Sequence, residues 1–170
     1  MKWHTNDVRS WMESPLGPLH LSSSALGLTA IWFPDQRHLP GQANIARWPI
    51  DHAHPMLQAA RAQIGAYFKG ERHRFDLPLD LSSGTDFQQS VWRALLGIAE
   101  GATKSYGAVA TEIGRPAAVR AVGGAIGRNP LSIVVPCHRV LGGNGSLTGY
   151  SGGLHRKIAL LRREGIFIDP

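Results

Sequence analysis

The sequence contains a single cysteine, Cys137, among its 170 residues. One thiol cannot form an internal disulfide, and it excludes zinc sites that are built from several cysteines. The eight histidines offer no substitute, because none of them has the close spacing of an HExxH-type site. We interpret them as surface or loop residues. The sequence therefore predicts no metal.

Long apolar runs are missing as well. No stretch approaches the roughly 18 apolar residues of a membrane-spanning helix, and the N-terminus, MKWHTNDVRS, lacks the apolar core of a signal peptide. We therefore expect no membrane association and a cytoplasmic location. Hydrophobic residues make up 43% and charged residues 18% of the chain, which is typical of a globular protein with one ordinary domain or two small ones.

Positive charge is concentrated in the second half of the chain. The net charge is +6, and residues 1–82 hold 8 Lys and Arg against 7 Asp and Glu, whereas residues 83–170 hold 10 against 5. Such an asymmetry favours a polyanionic partner, most often nucleic acid. A soluble basic surface without a partner has the same composition, so the charge alone does not decide.

The first half predicts a small antiparallel sheet covered by one helix. Strand-like runs lie at residues 8–12, 19–23 and 28–33, separated by turns. Residues 34–55 lack a steady period and are interpreted as a loop with at most short structure. A helix then begins at Pro55 and ends before Gly70. The Pro-, Ser- and Gly-bearing segment at residues 77–85 predicts a boundary between domains 1–82 and 83–170.

The second half predicts helices separated by glycine and proline turns. Four helical segments follow one another, at residues 86–101, 106–113, 117–127 and 154–163. A capping box of Thr85 and Gln88 begins the first, and Ser105 and Pro116 begin the next two. An apolar, strand-like run at residues 131–135 precedes the last helix. The fold class is therefore α/β, in the α+β sense.

The second and third of these helices form a helix-turn-helix candidate. Many packed helix pairs have the same pattern, so an ordinary helical hairpin stays open as an alternative. The third helix, AAVRAVGGAIG, has little side-chain bulk at Gly123 and Gly124 and a single charge, Arg120. Small residues allow another backbone or a ligand to come close. Arg120 is then either a solvated surface group or the part that enters a nucleic acid.

Cys137 follows Pro136 at a point where the chain must turn. A lone cysteine is more often a small buried hydrophobe than a nucleophile. However, His138 can accept a thiol proton directly or through a water, Arg139 would favour negative charge on a nearby sulfur, and Glu164 could orient the imidazole. Because adjacent strand residues point to opposite faces, direct contact between Cys137 and His138 needs a bend or a bridging water.

The second half resembles the 6-O-alkylguanine-DNA alkyltransferases, also called methylated-DNA–protein-cysteine methyltransferases. Residues 136–140 match the proline-cysteine-histidine-arginine-valine signature of that family. The resemblance extends over residues 84–165, while the first half matches only loosely. The matching segments are GTDFQQSVW, SYGAVA, RAVGGAIGRNP, VVPCHRV and LTGYSGG. Ala99 departs from the proline of many members, at a helix end without a chemical role.

The resemblance implies a two-domain repair protein with a ribonuclease-H-like N-terminal domain and a helical C-terminal domain. It implies transfer of a methyl or other alkyl group from the 6-oxygen of guanine to Cys137, once per molecule and without a cofactor; activity on the 4-oxygen of thymine is left open. The partner would be double-stranded DNA containing alkylated guanine, with the damaged nucleotide flipped out of the helix. We expect a monomer in solution.

The resemblance also assigns candidate site residues. The candidate catalytic residues are Cys137, His138, Glu164 and Tyr106. The candidate substrate-binding residues are Asn129, Val140, Tyr150 and Ser151. The candidate DNA-binding residues are Arg120, Ala121, Gly123 and Gly124. In these roles Tyr106 protonates the leaving guanine, Arg120 takes the place of the flipped base, and Asn129 ties the recognition helix to the active-site segment.

Two other functions use parts of this pattern. A cysteine hydrolase could use Cys137, His138 and Glu164 as a triad, but it needs an oxyanion site and leaves the helix-turn-helix without a purpose. A transcriptional regulator would use the helix-turn-helix but leaves the cysteine segment unexplained, and it commonly binds as a dimer. The alkyltransferase-like proteins without a nucleophile are disfavoured by Cys137 itself.

Overall fold

The first half of the chain is built on a three-stranded sheet in the computed structural model, which describes residues 1–168. Its strands are β1 (Val8–Met12), β2 (Leu19–Ser23) and β3 (Leu28–Trp32), paired antiparallel in that order. β3 is buried along its whole length. The β2–β3 pairing shifts register between Ser22 and Ser23. The predicted antiparallel sheet is confirmed.

Two helices complete the first half. α1 (Gln42–Arg47) is a short helix within the predicted loop, and α2 (Pro55–Phe68) is the predicted long helix. Pro55 stands at the first helical position, where its missing N–H costs nothing. The buried residues of α2 recur every three or four positions and face the sheet: Leu57, Ala60, Ile64 and Tyr67. Gly70, with φ of 77°, turns the chain away after the helix.

The second half consists mainly of four helices. The helices are α3 (Asp86–Leu96), α4 (Tyr106–Glu112), α5 (Val119–Gly127) and α6 (Leu154–Arg163). Two short strands lie between them, β4 (Lys104–Ser105) and β5 (Val140–Leu141). The short strands β4 and β5 pair parallel. The Thr85–Gln88 capping box is present at the start of α3. The prediction that this helix continues to Gly101 is wrong, because the chain leaves the helix at Gly97 and turns Ile98 into the core.

The helix-turn-helix candidate is formed by α4 and α5. The Ser105 side chain accepts a hydrogen bond from the Ala108 backbone amide at 3.1 Å and so caps α4. Gly114, with φ of 70°, ends this helix. The predicted second helix begins as a short 3-10 turn at Pro116–Ala118 before α5 proper. The Trp92 indole donates to the Ala125 carbonyl at 2.9 Å and holds α5 on α3.

The predicted strand at residues 131–135 is wrong. Leu131 makes one parallel bridge to Ile31 of β3, and the chain then turns, with the Val135 amide bonded to the Leu131 carbonyl at 2.9 Å. Ile133 has a φ of 75° inside this turn. Pro130 and Pro136 flank the segment and lack the amide hydrogens that a strand ladder needs. The chain continues into a 3-10 turn at Cys137–Arg139.

The two halves share one buried core across their contact. The Ile31 amide donates to the Pro130 carbonyl at 2.9 Å, and the Ser132 amide donates to the Ile31 carbonyl at 3.0 Å. Apolar side chains of both halves belong to a single buried cluster. The active-site segment therefore lies directly against β3, and the domain boundary at residues 82–83 stays a prediction. Within residues 1–168 no helix is long and apolar enough to cross a membrane.

Candidate active site

The Cys137 thiol lies in a buried polar environment behind the 3-10 turn. Cys137 is 5% exposed, and its Sγ accepts a hydrogen bond from Asn129 Nδ2 at 2.9 Å. Burial raises the pKa of this thiol, while the Asn129 hydrogen bond and the Lys157 charge lower it in part. The thiol is therefore neutral until a base or a nearby charge helps to ionise it.

Asn129 connects the end of α5 to the nucleophile. Its Nδ2 also donates to the Val135 carbonyl at 2.8 Å, and its Oδ1 accepts from the Leu131 amide at 3.0 Å. The side chain is buried and so replaces the hydrogen bonds that water would otherwise supply. The predicted tie between the recognition helix and the active-site segment is present in the geometry.

His138 and Glu164 form a buried pair. His138 Nε2 lies 2.8 Å from Glu164 Oε1, and both side chains are fully buried. With the proton on Nε2, the other ring nitrogen, Nδ1, is a proton acceptor, and it has no partner among the described residues. Burial lowers the pKa of His138, and the Glu164 carboxylate opposes that shift. The predicted pairing of these two side chains is therefore present.

Arg139 does not lie where the sequence suggested. Its guanidinium binds Glu164 as a fork, with Nε 2.8 Å from Oε2 and Nη2 2.9 Å from Oε1, and Nη1 donates to the Ile98 carbonyl at 2.5 Å. Arg139 was expected to favour negative charge on the sulfur only if it lay nearby, and in the structure its donors are used by the carboxylate and a carbonyl. Glu164 thus both binds an arginine and orients His138.

Hydrogen bonds determine the charge of Glu164. Burial by itself raises the pKa of this carboxyl, but hydrogen bonds from His138, Arg139 and Tyr67 outweigh burial and bring the pKa to about 2. The carboxylate is therefore ionised at neutral pH. It supplies a fixed negative charge at the far side of the imidazole.

Tyr106 and Tyr150 are the two tyrosines among the candidate site residues. Tyr106 is the first residue of α4, and its hydroxyl accepts a hydrogen bond from Thr148 Oγ1 at 2.9 Å. The Tyr150 hydroxyl is buried beside Cys137; burial raises its pKa, and ionisation of the thiol raises it further. A Cβ at Gly152 would lie 2.9 Å from the Tyr150 ring. This glycine thus lets the ring lie flat against the loop.

The loop at residues 149–153, which leads into α6, is anchored to the first half. Ser151 Oγ donates to the Arg37 carbonyl at 2.5 Å, and the Arg37 amide donates to the Ser151 carbonyl at 3.0 Å. A cavity of about 540 Å³ opens between residues 35–38, this loop and Gly127. Val140 is buried in β5 and presents its carbonyl to Lys157. Of the predicted substrate-binding residues, Asn129 bonds the thiol, Tyr150 and Ser151 line this cavity, and Val140 lies in β5.

The exposed face of α5 carries the predicted DNA-contacting residues. Arg120 and Ala121 are exposed, whereas Gly123 and Gly124 are half-buried. A Cβ at Gly123 would lie 3.7 Å from the Tyr106 ring, and one at Gly124 would lie 3.3 Å from Arg128. The Arg128 atom is the flexible end of an exposed side chain, so neither position requires glycine for packing inside the protein.

Two family models match the chain, one in each half. The model of the 6-O-methylguanine DNA methyltransferase ribonuclease-like domain matches residues 8–81, and the model of the DNA binding domain of the same methyltransferase matches residues 86–166. The chain belongs to the 6-O-methylguanine DNA methyltransferase family. Both the resemblance found in the sequence and the α/β fold class are confirmed.

Relatives of this methyltransferase family match along most of their length. The methylated-DNA–protein-cysteine methyltransferase of Mycobacterium bovis is 49% identical over 90% of this chain and 89% of its own. That of Methanosarcina barkeri is 46% identical over 90% and 94%. The crystal structure of Mycobacterium tuberculosis OGT in complex with DNA has a TM-score of 0.83 at 47% identity, covering 92% of this chain and 91% of that one.

Two residues of this methyltransferase-family site escaped the sequence analysis. Lys157 is fully buried, and its ammonium donates to the Val140 carbonyl at 2.6 Å and the Thr148 carbonyl at 3.0 Å. Burial lowers its pKa to about 8, against the attraction of Cys137. Its signal was a lysine on the apolar face of α6, three residues before Leu160. Nothing in the sequence pointed to Tyr67, in the other half, as a site residue, because it has the spacing of an ordinary core residue of α2.

Proposed function

We propose that this protein repairs alkylated DNA by moving a methyl or other alkyl group from the 6-oxygen of guanine to the Sγ of Cys137. The observation that carries this function is the buried thiol held by Asn129 beside the His138–Glu164 pair. Displacement at a saturated carbon needs a soft nucleophile, and a thiolate is one. The family membership and the DNA complex of the Mycobacterium tuberculosis relative support the same function.

The thiol proton moves to His138 Nδ1. A bridging water carries it, since the described structure has no direct hydrogen bond between Cys137 and His138 and Nδ1 lacks a protein partner. Glu164 stabilises the imidazolium that forms. Lys157, in the first turn of α6, adds positive charge near the sulfur. The buried thiol becomes a thiolate only while these charges compensate its burial.

The alkyl carbon passes from oxygen to sulfur in one displacement. The carbon–sulfur bond forms as the carbon–oxygen bond breaks, and the electron pair of the broken bond stays on guanine. Tyr106 donates a proton to the guanine ring, which makes it a better leaving group. The products are a neutral thioether at Cys137 and a repaired base, and the thiol proton held by His138 replaces the proton that Tyr106 gave to guanine. Without a group to remove the alkyl chain, each molecule reacts once.

The target atom lies inside the duplex, so the damaged nucleotide has to leave the stack. We assign the exposed face of α5 to the DNA groove, with Arg120 in the space of the flipped base and Ala121, Gly123 and Gly124 allowing close approach. The backbone of Cys137, Val140 and Ser151 then contacts the base. The basic excess of residues 83–170 supplies the attraction to phosphates.

The two alternative functions are not favoured. A cysteine hydrolase and a helix-turn-helix regulator each explain one part of the site, whereas alkyl transfer in DNA uses the thiol, the buried pair and α5 together. No cofactor takes part in the proposed chemistry, and among residues 1–168 no group of three or more His, Cys, Asp or Glu side chains can hold a metal ion. A cytoplasmic location and a monomer in solution stay predictions.

Intact-protein mass spectrometry tests the proposal. The protein is mixed with a double-stranded oligonucleotide that carries one 6-O-methylguanine, in excess. We expect one added methyl group, mapped to Cys137 by peptide sequencing, and no further reaction. Cys137→Ser should gain no mass. Repeated turnover with excess substrate would contradict single transfer and favour the hydrolase.

A further inference from the structure

Three donors converge on one oxygen of Glu164. Oε1 accepts from His138 Nε2 at 2.8 Å, from Arg139 Nη2 at 2.9 Å and from the Tyr67 hydroxyl at 2.7 Å. His138 and Arg139 belong to the 3-10 turn next to the nucleophile. Tyr67 belongs to α2, so among the described donors to this carboxylate it alone comes from the first half. The hydroxyl therefore joins the two halves at the group that orients the proposed base.

Because this cluster is buried, the Glu164 carboxylate depends on protein donors such as the Tyr67 hydroxyl. Tyr67 is 0% exposed, and the Glu164 and His138 side chains are equally inaccessible. A carboxylate in such a place depends on protein donors for its stability and its orientation. Each donor also draws charge from the oxygen it shares. The Tyr67 hydroxyl thus competes with His138 for the same oxygen while it fixes where that oxygen lies.

The ring of Tyr67 has a packing role that is separate from its hydroxyl. Arg163 lies over the ring at 3.8 Å and donates to the Tyr67 carbonyl at 2.6 Å, and the Phe68 and Phe75 rings lie 5.4 Å from it. A phenylalanine would keep these ring contacts. The packing of the ring therefore does not require the hydroxyl.

We propose that Tyr67 is a positioning residue for alkyl transfer, whose hydroxyl fixes the Glu164 carboxylate and thereby the orientation and basicity of the His138 imidazole. This inference rests on the proposed His138–Glu164 relay. It gives the first half of the chain a part in the chemistry. Tyr67 acts on the base through the Glu164 carboxylate.

The charges around the pair give the effect a direction. Glu164 faces Tyr67 from α2 and His138 and Arg139 from the 3-10 turn, and His138 also feels the Lys157 charge from α6. In Tyr67→Phe, Arg139 remains and keeps the carboxylate ionised. Without the Tyr67 hydroxyl, the shared carboxylate oxygen carries more negative charge and binds the protonated imidazole more strongly, so the pKa of His138 rises. As the pH falls, the imidazole is therefore protonated at a higher pH than in the unmodified protein, and the neutral form that accepts the thiol proton is lost earlier.

The test is the pH profile of single-turnover methyl transfer from a saturating 6-O-methylguanine duplex. For Tyr67→Phe we expect the acid limb to move upward by about half a pKa unit, which corresponds to an about threefold slower reaction on that limb beyond any change at the plateau. The matched control is Ser22→Ala, which removes another fully buried hydroxyl of the first half, one that bonds Thr29 at 2.8 Å. Its pH profile should coincide with that of the unmodified protein.

A second measurement does not depend on the rate. A ¹⁵N NMR titration of labelled histidine reads the pKa of His138 in the folded fraction, even if Tyr67→Phe is less stable, and we expect it to rise. A profile that coincides with that of the unmodified protein, or a uniform loss at every pH, overturns the inference. Glu164→Gln separates the two proposals: if it reacts normally, the relay and Tyr67's role both fail, whereas a slow Glu164→Gln with an unshifted Tyr67→Phe rejects Tyr67 alone.

Discussion

At the scale of single residues, the sequence identified the chemical groups better than their partners. Cys137, His138 and Glu164 came from one motif and a helix end, and the structure brings the last two within 2.8 Å. Arg139 was considered for its effect on the sulfur should it lie nearby, and it binds Glu164. Neighbours in sequence share a backbone but not a direction, so a motif names residue types without telling which way each points.

Glu164 gives a prediction that separates its structural role from its catalytic one. Glu164→Gln keeps the shape of the side chain but removes its charge. We expect slower alkyl transfer, because the imidazolium loses its stabilising carboxylate, and an acid limb moved downward, because the imidazole without that negative charge has a lower pKa. Affinity for undamaged DNA, measured by fluorescence anisotropy, should stay nearly unchanged. A normal rate and profile would mean that Cys137 is activated without the relay.

The same substitution has a consequence for stability. The pKa of Glu164 is lowered from 4.5 to about 2 in the folded chain, so the unfolded chain binds more protons between these values. Its contribution, on the order of 3 kcal/mol, is complete above about pH 4.5 and is lost as the pH falls toward 2. Urea unfolding from pH 6 to pH 3 should show a steeper loss for the unmodified protein than for Glu164→Gln. Parallel curves would contradict the lowered pKa.

At the scale of elements, hydrophobic period and capping residues predicted α2, α4 and α6 closely, because each begins and ends at local signals. The segment at residues 131–135 failed, since an apolar run of five residues fits a strand and a buried turn equally well. Long-range contacts decide the outcome. Asn129 donates to two carbonyls of the turn, and within residues 131–135 Leu131 alone forms a bridge with β3.

Ile133 provides the test of this turn. A β-branched residue with φ of 75° is strained, at a cost of about 1–3 kcal/mol. Alanine and glycine both remove its buried side chain, but glycine alone also relieves the strain. We therefore expect Ile133→Gly to be more stable than Ile133→Ala by about 1 kcal/mol in urea unfolding, the reverse of the usual order. Leu160, on α6, is the control, where glycine should be the less stable substitution.

At the scale of the whole molecule, the site depends on both halves in a way that local patterns could not predict. Gln36 Oε1 accepts from Ser132 Oγ at 3.2 Å and from the Phe33 amide at 3.0 Å, and Tyr67 reaches Glu164 across 97 residues of sequence. The second half was identified by dense motifs. The first half contributes single side chains whose spacing to the site is not periodic, and such contacts become visible only in the folded chain.

The proposed reaction also requires the protein to reach a base inside duplex DNA, and substitution of Arg120 tests how it does so. Flipping a nucleotide costs a few kcal/mol of unstacking, and an arginine in the vacated space offsets part of that cost. Arg120→Ala should therefore slow repair of duplex DNA by about 10- to 100-fold, while the reaction with free 6-O-methylguanine base stays nearly normal. Rapid-quench assays on both substrates measure this ratio.

The control for Arg120→Ala is Arg47→Ala, which removes an exposed positive charge from α1 in the first half. The two substitutions change the net charge equally, so a general loss of attraction to phosphates would weaken both. Repair of duplex DNA should be selectively slow for Arg120→Ala only if Arg120 enters the DNA double helix. If both substrates lose the same factor, Arg120 supports the fold or the pocket rather than flipping. If both variants slow duplex repair alike and added salt removes the difference from the unmodified protein, the contribution of Arg120 is phosphate attraction alone.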